Sequence, residues 1–224
     1  MGQFGYFGKV PTRGDFLQEQ LPSAFVDSWS EWQQAILAVS REQLGEEWAD
    51  CYLTSPVWHF ALSPGACGRS GMVGTLMPSI DQVGRHFFLT LAAEVEGPPV
   101  MYWHQRQWCN ETEEQIFKVL DDDNDIQCWG EEVKKAEWLP DVASELPAIQ
   151  QGAEQSQQYV LLCDDELHAN HLLHATYREQ FDRYCIWWTA GSARLPGCML
   201  ITSGLPLVSQ FAAMMDGDWA KWGW

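Results

Sequence analysis

VWHFALS at residues 57–63, MVGTLMPS at 72–79 and HFFLTLAAEV at 86–95 decide the fold of this chain. Each segment is a short apolar run, and a turn containing Gly or Pro separates it from the next. Connections this short join antiparallel strands, because parallel strands need a long crossover. The three segments therefore predict an antiparallel meander within a central sheet.

The sequence on both sides of this meander supplies helices and further strands. FGYFGKV at 4–10 predicts an N-terminal strand, and Pro22 and Ser23 open a helix in which Ser23 is the expected cap. Residues 102–120 predict another helix, and the acidic, Gln-rich stretch 126–157 predicts an exposed linker. The C-terminal part predicts a strand at 159–163, a helix at 164–181 opened by Asp164 or Asp165, strands at 184–191 and 198–204, and a closing helix at 205–217.

These elements predict the fold class and the domain organisation. Strands and helices mixed along one chain of 224 residues indicate an α/β (α+β) protein. We expect a single domain over residues 1–224 with a largely antiparallel central sheet flanked by helices. The stretch at about 100–157 is expected to be an acidic, variable insertion in that domain.

The chain is strongly acidic, and the acid is concentrated in its middle. It has 31 acidic against 13 basic residues, a net charge of -18. Residues 96–183 contain 19 of the acidic residues but only 6 of the basic ones. This charge opposes binding to nucleic acid, which needs Lys and Arg to displace counterions, and docking on an anionic membrane. It favours either high solubility or a basic partner.

The first residues and the cysteines indicate a cytoplasmic protein. MGQFGYFGKVPTRGDF has no apolar core behind basic residues, as a secretory signal would have. No stretch approaches the roughly 18 apolar residues needed to span a bilayer, so no direct membrane insertion is expected. The seven Cys residues are scattered, form no C-x-x-C pair and lie mostly in apolar surroundings, which predicts reduced, buried thiols.

A histidine series is the clearest candidate for a metal site. His168, His171 and His174 form H-x-x-H-x-x-H on a predicted helix, and Asp164 and Asp165 could add oxygen ligands. The spacing lacks the i, i+4 pair of zinc-binding helices, so histidines that face solvent are the favoured interpretation. No phosphate-binding loop, dinucleotide fingerprint or nucleophile elbow occurs. We therefore expect no metal, no cofactor, no catalytic residue and no enzymatic activity.

Two sets of polar residues interrupt otherwise apolar segments. Both lie in turns at strand ends, with Lys9, Arg13 and Asp15 in the first and Ser79, Asp81 and Arg85 in the second. An Asp and an Arg so close in sequence can pair and fix a loop, or the loops can build a ligand or partner site. In the first turn, Gly14 is expected to supply permissive dihedral angles and Asp15 to cap neighbouring backbone N–H groups.

Eight of the 13 Trp residues divide into three groups. The adjacent Trp187 and Trp188 lie in a predicted strand, so their side chains point to opposite faces of the sheet. A second group, Trp29, Trp32 and Trp58, follows the apolar periodicity and is expected in the core. A third group, Trp219, Trp222 and Trp224, lies in the Gly-rich tail. The tail group either packs back on the domain or offers an aromatic anchor to a partner.

Five blocks in order along the chain resemble one known family. The blocks are GKVPTRGDF at 8–16, LTSPVWHF at 53–60, LMPSIDQVGR at 76–85, IWWT at 186–189 and GLPLVSQFAAMMDG at 204–217. They resemble the TagF (ImpM) family of type VI secretion accessory proteins. The chain departs from the family pattern at His59, where Arg is expected, and at His86-Phe87-Phe88, where an aromatic residue and then Phe-Pro are expected.

The resemblance implies a function and a set of site residues. It implies a TagF-like cytoplasmic, non-enzymatic protein that represses secretion post-translationally by binding a forkhead-associated scaffold protein. The matched blocks mark residues that are expected to bind this partner or to hold the motif in shape: Lys9, Pro11, Gly14, Asp15, Phe16, Ser55, Pro56, Trp58, Pro78, Ser79, Asp81, Gly84 and Arg85.

Two further hypotheses stand beside this implication. The acidic surface Asp121, Asp122, Asp123 and Asp125 either attracts a basic partner surface or is simply a solubilising loop. The alternative function is a small-molecule sensor or enzyme with a polar site formed by the 9–15 and 79–85 loops. A concave site there would favour the sensor, whereas a buried ion pair would indicate a structural role.

Overall fold

A seven-stranded antiparallel sheet lies at the centre of the fold. The computed structural model describes residues 2–142, 148–151, 159–162 and 168–224. The strands of the sheet are β1 Gly5–Gly8, β2 Leu17–Glu19, β3 Trp58–Leu62, β4 Gly71–Met77, β5 Leu89–Val95, β8 Cys185–Gly191 and β9 Pro196–Thr202. A separate hairpin pairs β6 Ala148–Gln151 with β7 Tyr159–Leu162.

The predicted meander is confirmed as the middle of this sheet. The strand order is β2-β1-β5-β4-β3-β8-β9, so β3, β4 and β5 are consecutive neighbours. Phe60 of β3 pairs with Gly74 of β4, and Gly74 pairs with Ala92 of β5. Every residue of β3 and β4 is buried, because neighbouring strands flank them and helices cover both faces.

Helices cover both faces of the sheet and enclose two apolar cores. The first face packs against α1 Ser23–Leu44, α2 Trp48–Leu53 and α7 Ala213–Asp216. The second face packs against α3 Pro99–His104, α4 Trp108–Lys118, α5 Ile126–Lys135 and α6 Ala169–Phe181. This three-layer arrangement confirms the predicted fold class, an antiparallel sheet flanked by helices.

The acidic middle of the chain is more structured than predicted. The single helix expected over 102–120 is two helices, α3 and α4. The linker expected over 126–157 is wrong at its beginning, because residues 126–135 form α5. Ile126, Trp129 and Val133 recur at helical spacing and are buried against the second face. The charged residues on the exposed side of α5 make this stretch resemble an acidic linker when it is judged by composition alone.

Helix ends also differ from the predictions. Ser23 is the first residue of α1 rather than its cap, and its side chain makes no capping hydrogen bond. Helix α6 begins at Ala169 behind His168, and Asp164 and Asp165 lie outside the described residues. The helix expected over 205–217 is instead a 3-10 turn followed by the single turn of α7.

The tryptophans occupy the places that their spacing predicts. Trp187 lies in the core on the first face and Trp188 in the core on the second, which confirms their opposite orientations. Trp29 stacks on Trp187 with ring centroids 5.9 Å apart and planes 2° apart. Trp29 also packs against Phe60, so aromatic contacts hold α1 against the neighbouring strands β3 and β8.

The aromatic tail packs back on the domain, although Trp224 remains 38% exposed. Trp219 packs against the core of the first face. The indole N–H of Trp222 donates to the Asp216 carboxylate at 2.8 Å, and that of Trp224 donates to the Gln210 carbonyl at 2.9 Å.

The structure bears on two expectations, one about the burial of the thiols and one about membrane-spanning helices. Cys51, Cys67, Cys109 and Cys185 are buried free thiols, whereas Cys128 is exposed. Within the described residues, no helix has the length and apolar character needed to cross a bilayer.

Candidate functional site

The 9–15 and 79–85 loops converge on the buried carboxylate of Asp81. Its Oδ2 accepts hydrogen bonds from Lys9 Nζ and Arg85 Nε, both at 2.6 Å. Its Oδ1 accepts from the backbone N–H groups of Val83 at 3.1 Å and Arg85 at 2.8 Å. The side chains of Lys9 and Asp81 are 8% and 0% exposed, whereas that of Arg85 is 64% exposed. The chain itself therefore supplies four hydrogen bonds to this carboxylate.

These contacts set the ionisation of Asp81. Burial by itself would raise the pKa of this carboxyl, because it disfavours the charged form. The hydrogen bonds from Lys9, from Arg85 and from the Val83 N–H outweigh burial and hold the pKa of Asp81 well below its usual range. The group is thus an ionised structural anchor rather than an acid or base available to a substrate.

The same ion pair ties the two loops together through Gly14. The Gly14 carbonyl accepts from Arg85 at 3.1 Å and lies 3.5 Å from Lys9 Nζ. Gly14 does not have a positive φ, and a Cβ there would meet nothing within 4 Å, so the expected need for permissive dihedral angles is wrong. Gly84 does need them, because its φ is +81°.

The predicted capping role belongs to Asp81 rather than to Asp15. Asp15 is exposed, and the described contacts give its carboxylate no hydrogen bond. Asp81 accepts N–H groups two and four residues further along, as a cap of this kind does. Pro11 lies half-buried in the same turn as Asp15.

Aromatic contacts hold the outer side of these loops. Phe16 is 47% exposed and packs edge-on against Phe87 with centroids 4.7 Å apart, and Lys9 Nζ lies 4.8 Å from its ring centroid. Ser79 is fixed through its backbone, whose N–H donates to the Tyr52 hydroxyl at 3.0 Å and whose carbonyl accepts from it at 2.8 Å. The two loops form a closed structural clasp, which we call the Asp81 clasp.

The block around residue 55 divides between the core and a surface groove. Trp58 is buried, and its indole N–H donates to the Met214 carbonyl at 3.1 Å, so it is a core residue. Ser55 and Pro56 line a groove of about 330 Å³, and Pro78 lines it from the end of β4. The groove crosses the end of β8 and is bounded on one side by α4.

Exposed apolar side chains line this groove, and the sequence reasoning missed them. Leu53, Phe117 and Leu120 are 56%, 48% and 49% exposed. A signal for two of them is present in the chain: the pairs Ile116-Phe117 and Val119-Leu120 are adjacent apolar residues in and just beyond α4. Adjacent residues on a helix cannot both face the core, so one of each pair must face outward.

A buried polar chain connects the sheet to the groove through His59. His59 Nδ1 lies 2.8 Å from Thr75 Oγ1, which lies 2.6 Å from Thr112 Oγ1. His59 Nε2 lies 3.4 Å from the carboxylate of Glu113, a groove residue whose side chain is 34% exposed. The histidine at the position where Arg is expected therefore lies beside a carboxylate at the groove wall.

The acidic surface begins one residue after the groove. Asp121, Asp122, Asp123 and Asp125 are all exposed and follow Leu120 directly. Two of them form hydrogen bonds to the backbone. Asp121 accepts from the Asp123 N–H at 3.0 Å, and Asp125 caps α5 by accepting from the Gln127 and Cys128 N–H groups. In the described contacts, the carboxylates of Asp122 and Asp123 accept no hydrogen bond.

The histidine series makes separate contacts, and the prediction that it faces solvent is wrong for the buried His171 and the half-buried His174, although His168 is exposed. His168 and His171 form a reciprocal cap at the start of α6, and His171 is buried. His174 Nδ1 lies 2.8 Å from the Tyr184 hydroxyl, and burial, with smaller effects of Arg178 and His171, lowers the pKa of His174 to about 4. No three His, Cys, Asp or Glu side chains converge as metal ligands within the described ranges.

Comparison with known proteins now places the chain in a family. Residues 5–136 match the family described as TagF N-terminal domain, type VI secretion system-associated. That match covers more than half of the 224 residues.

The chain belongs to the TagF family.

A solved structure supports this assignment over nearly the whole chain. The crystal structure of PA0076 from Pseudomonas aeruginosa PAO1 is similar to this TagF chain, with 28% sequence identity and a TM-score of 0.81. The similarity covers 96% of this chain and 94% of that one. A search among curated proteins finds no significant match.

The family match bears on the acidic middle of this TagF chain. The matched residues include α3, α4 and α5, so the family pattern extends beyond the short blocks through residue 136. That residues 100–157 form a variable insertion stays a prediction. Membership in a type VI secretion-associated family gives the chain an accessory role in that system.

Proposed function

We propose that this TagF chain is a cytoplasmic, non-enzymatic regulator that represses type VI secretion post-translationally by binding a forkhead-associated scaffold protein. The observation that carries the proposal is the groove lined by the exposed apolar side chains of Leu53, Phe117 and Leu120, the last of which directly precedes the acidic surface in the chain. Exposed apolar side chains beside concentrated charge are the ordinary anatomy of a protein-binding surface.

The negative charge of this surface favours a basic partner. Forkhead-associated domains present basic loops that recognise phosphothreonine, and the acidic surface is electrostatically complementary to such loops. Glu113 in the groove adds a further carboxylate on the same side. The occupant we propose is a basic segment of the scaffold that seats an apolar side chain between α4 and the end of β8.

The Asp81 clasp supports this proposal over the small-molecule sensor. The sensor needs an open polar site between the 9–15 and 79–85 loops. Those loops meet on an ion pair whose carboxylate accepts four hydrogen bonds from the chain itself. This arrangement leaves Asp81 no free acceptor for a ligand, which supports a structural role for the clasp and a partner surface elsewhere.

Calorimetric titration of the purified scaffold protein tests the proposal. The double variant Asp122→Asn/Asp123→Asn removes two charges without disturbing the turn or the cap of α5. We expect it to weaken binding about tenfold at low salt and to flatten the dependence of affinity on salt. The matched control Glu31→Gln/Glu42→Gln removes the same charge from the exposed side of α1 and should leave affinity unchanged.

A second variant tests the groove separately from the charge. Phe117→Ser/Leu120→Ser should weaken binding at all salt concentrations, because it removes apolar contact rather than charge. The proposal is wrong if the scaffold binds both double variants as tightly as it binds the unaltered protein at low salt.

A further inference from the structure

The last strand of the sheet has an open edge. Strand β9 runs over Pro196–Thr202, and β8 is its one neighbour within the described part of the chain. In an antiparallel pair, alternate residues turn their N–H and C=O groups away from the neighbouring strand. PGCMLIT contains no charged residue, and its single Pro is at the first position. Over seven residues, this edge offers about 23 Å of backbone to another strand.

The opposite edge of the sheet is protected. Strand β2 has only three residues, two of which are exposed, and Glu19 places a charge on it. It ends at Glu19, and the φ of 55° at the next residue, Gln20, turns the chain. Short length, a charge and an early turn are the devices that prevent strands from pairing at an edge. Strand β9 is neither short nor charged, so its edge lacks two of these three devices.

We infer that β9 pairs with β9 of a second copy of this chain, antiparallel and about a two-fold axis. Local charge does not oppose this occupant: β9 carries no charged residue, and residues 184–224 hold two acidic and two basic residues, whereas the acid of the -18 chain is concentrated in residues 96–183. An uncharged strand is also its own complement in an antiparallel pair, and a two-fold pairing closes on itself. The protected β2 edge then ends the joined sheet at each side.

The centre of the strand fixes the expected register. Met199 is the middle residue of β9 and is 39% exposed. On a two-fold axis through this residue, the two Met199 side chains meet. A charge introduced at position 199 would then face its own copy, and a cysteine there would face a cysteine at cross-strand distance.

Light scattering after size-exclusion chromatography tests the association. Over about a hundredfold range of protein concentration, we expect the mass to rise from 25.5 kDa toward twice that value. Met199→Lys should weaken the association at least about tenfold, while circular dichroism shows an unchanged fold. The matched control Gln18→Lys places the same charge on the β2 edge and should associate as the unaltered protein does.

Oxidative cross-linking tests the register. In a Cys128→Ser/Cys198→Ser background, which removes the exposed and the half-exposed thiol of the described residues, Met199→Cys should form a disulfide-linked dimer and Gln18→Cys should not. A monomeric mass at every concentration overturns the inference, and so does a dimer that Met199→Lys leaves intact. The acidic-surface variants should not change the mass, so this inference and the proposed function can fail independently.

Discussion

At the scale of single residues, the Asp81 clasp brings together the charges of Lys9, Asp81 and Arg85 from two loops of the N-terminal half. Its ion pair joins residues 72 positions apart and fixes the turn after β1 against the turn after β4. A buried charge costs stability unless it is paired and hydrogen-bonded, and Asp81 meets both conditions. Lys9 and Arg85 contribute unequally, since only Lys9 is itself buried.

Removing Lys9 should therefore cost more than removing Arg85. We expect Lys9→Met to lower the free energy of unfolding by about 3 kcal/mol, because it leaves a buried carboxylate without its buried partner. Arg85→Met should cost clearly less, since its guanidinium is solvent-exposed and screened. Urea unfolding at neutral pH measures both, and equal losses would contradict the assigned roles.

The clasp also predicts how stability depends on pH. The pKa of Asp81 lies below the value of about 3.9 that Asp has in an unfolded chain, so its charged form stabilises the folded state above that pH. This contribution should be lost progressively as the pH falls below about 4, because the Asp81 carboxyl then binds a proton in the unfolded chain but not in the folded protein. In Lys9→Met the pKa of Asp81 rises, so we expect a smaller acid-dependent loss.

Urea unfolding of both proteins between about pH 3 and pH 7 measures this difference. The unaltered protein should lose more free energy of unfolding across that range than Lys9→Met loses. Parallel curves for the two proteins would show that the Lys9 contact does not control the ionisation of Asp81.

At the scale of elements, α5 shows that composition alone misassigns an acidic stretch. Asp125 caps the helix, Lys134 and Lys135 lie in its last turn, and three buried apolar residues face the sheet. The local signals for a helix were therefore present. They were outweighed by the acidic and Gln-rich residues that surround them, which made 126–157 resemble a solvated linker.

Trp129 should be the residue that anchors α5. It is 1% exposed, packs 5.0 Å from the Tyr6 ring and donates its indole N–H to the Gln115 carbonyl. We expect Trp129→Ala to cost about 3 kcal/mol, from lost apolar burial and the cavity that remains. Gln127→Ala on the exposed side of the same helix should be nearly neutral. Thermal unfolding of both variants would contradict this account if their midpoints were equal.

At the scale of the whole molecule, covering both faces of the sheet explains the tryptophan content. Trp187 and Trp188 are neighbours in β8, yet each belongs to a different core. A sheet with one solvated face would bury only one of them. Within the described residues, neither core contains an acidic side chain.

Truncating either tryptophan should destabilise the protein. We expect Trp187→Ala and Trp188→Ala each to cost about 3 kcal/mol or more, because both leave a cavity in a packed core. Trp224→Ala, which removes a 38% exposed side chain from the tail, should cost about 1 kcal/mol or less. Chemical denaturation measures all three, and a neutral Trp188→Ala would mean that the second face is open.

The sequence by itself determined the antiparallel meander, the fold class, the core tryptophans and the family. These follow from local periodicity, short connections and blocks in order, which are properties of neighbouring residues. Only the tertiary structure decided that Lys9 reaches Asp81, and that Ser55 and Pro78 share a groove with Phe117. The physical reason is that strand order and register, rather than distance along the chain, bring these side chains together.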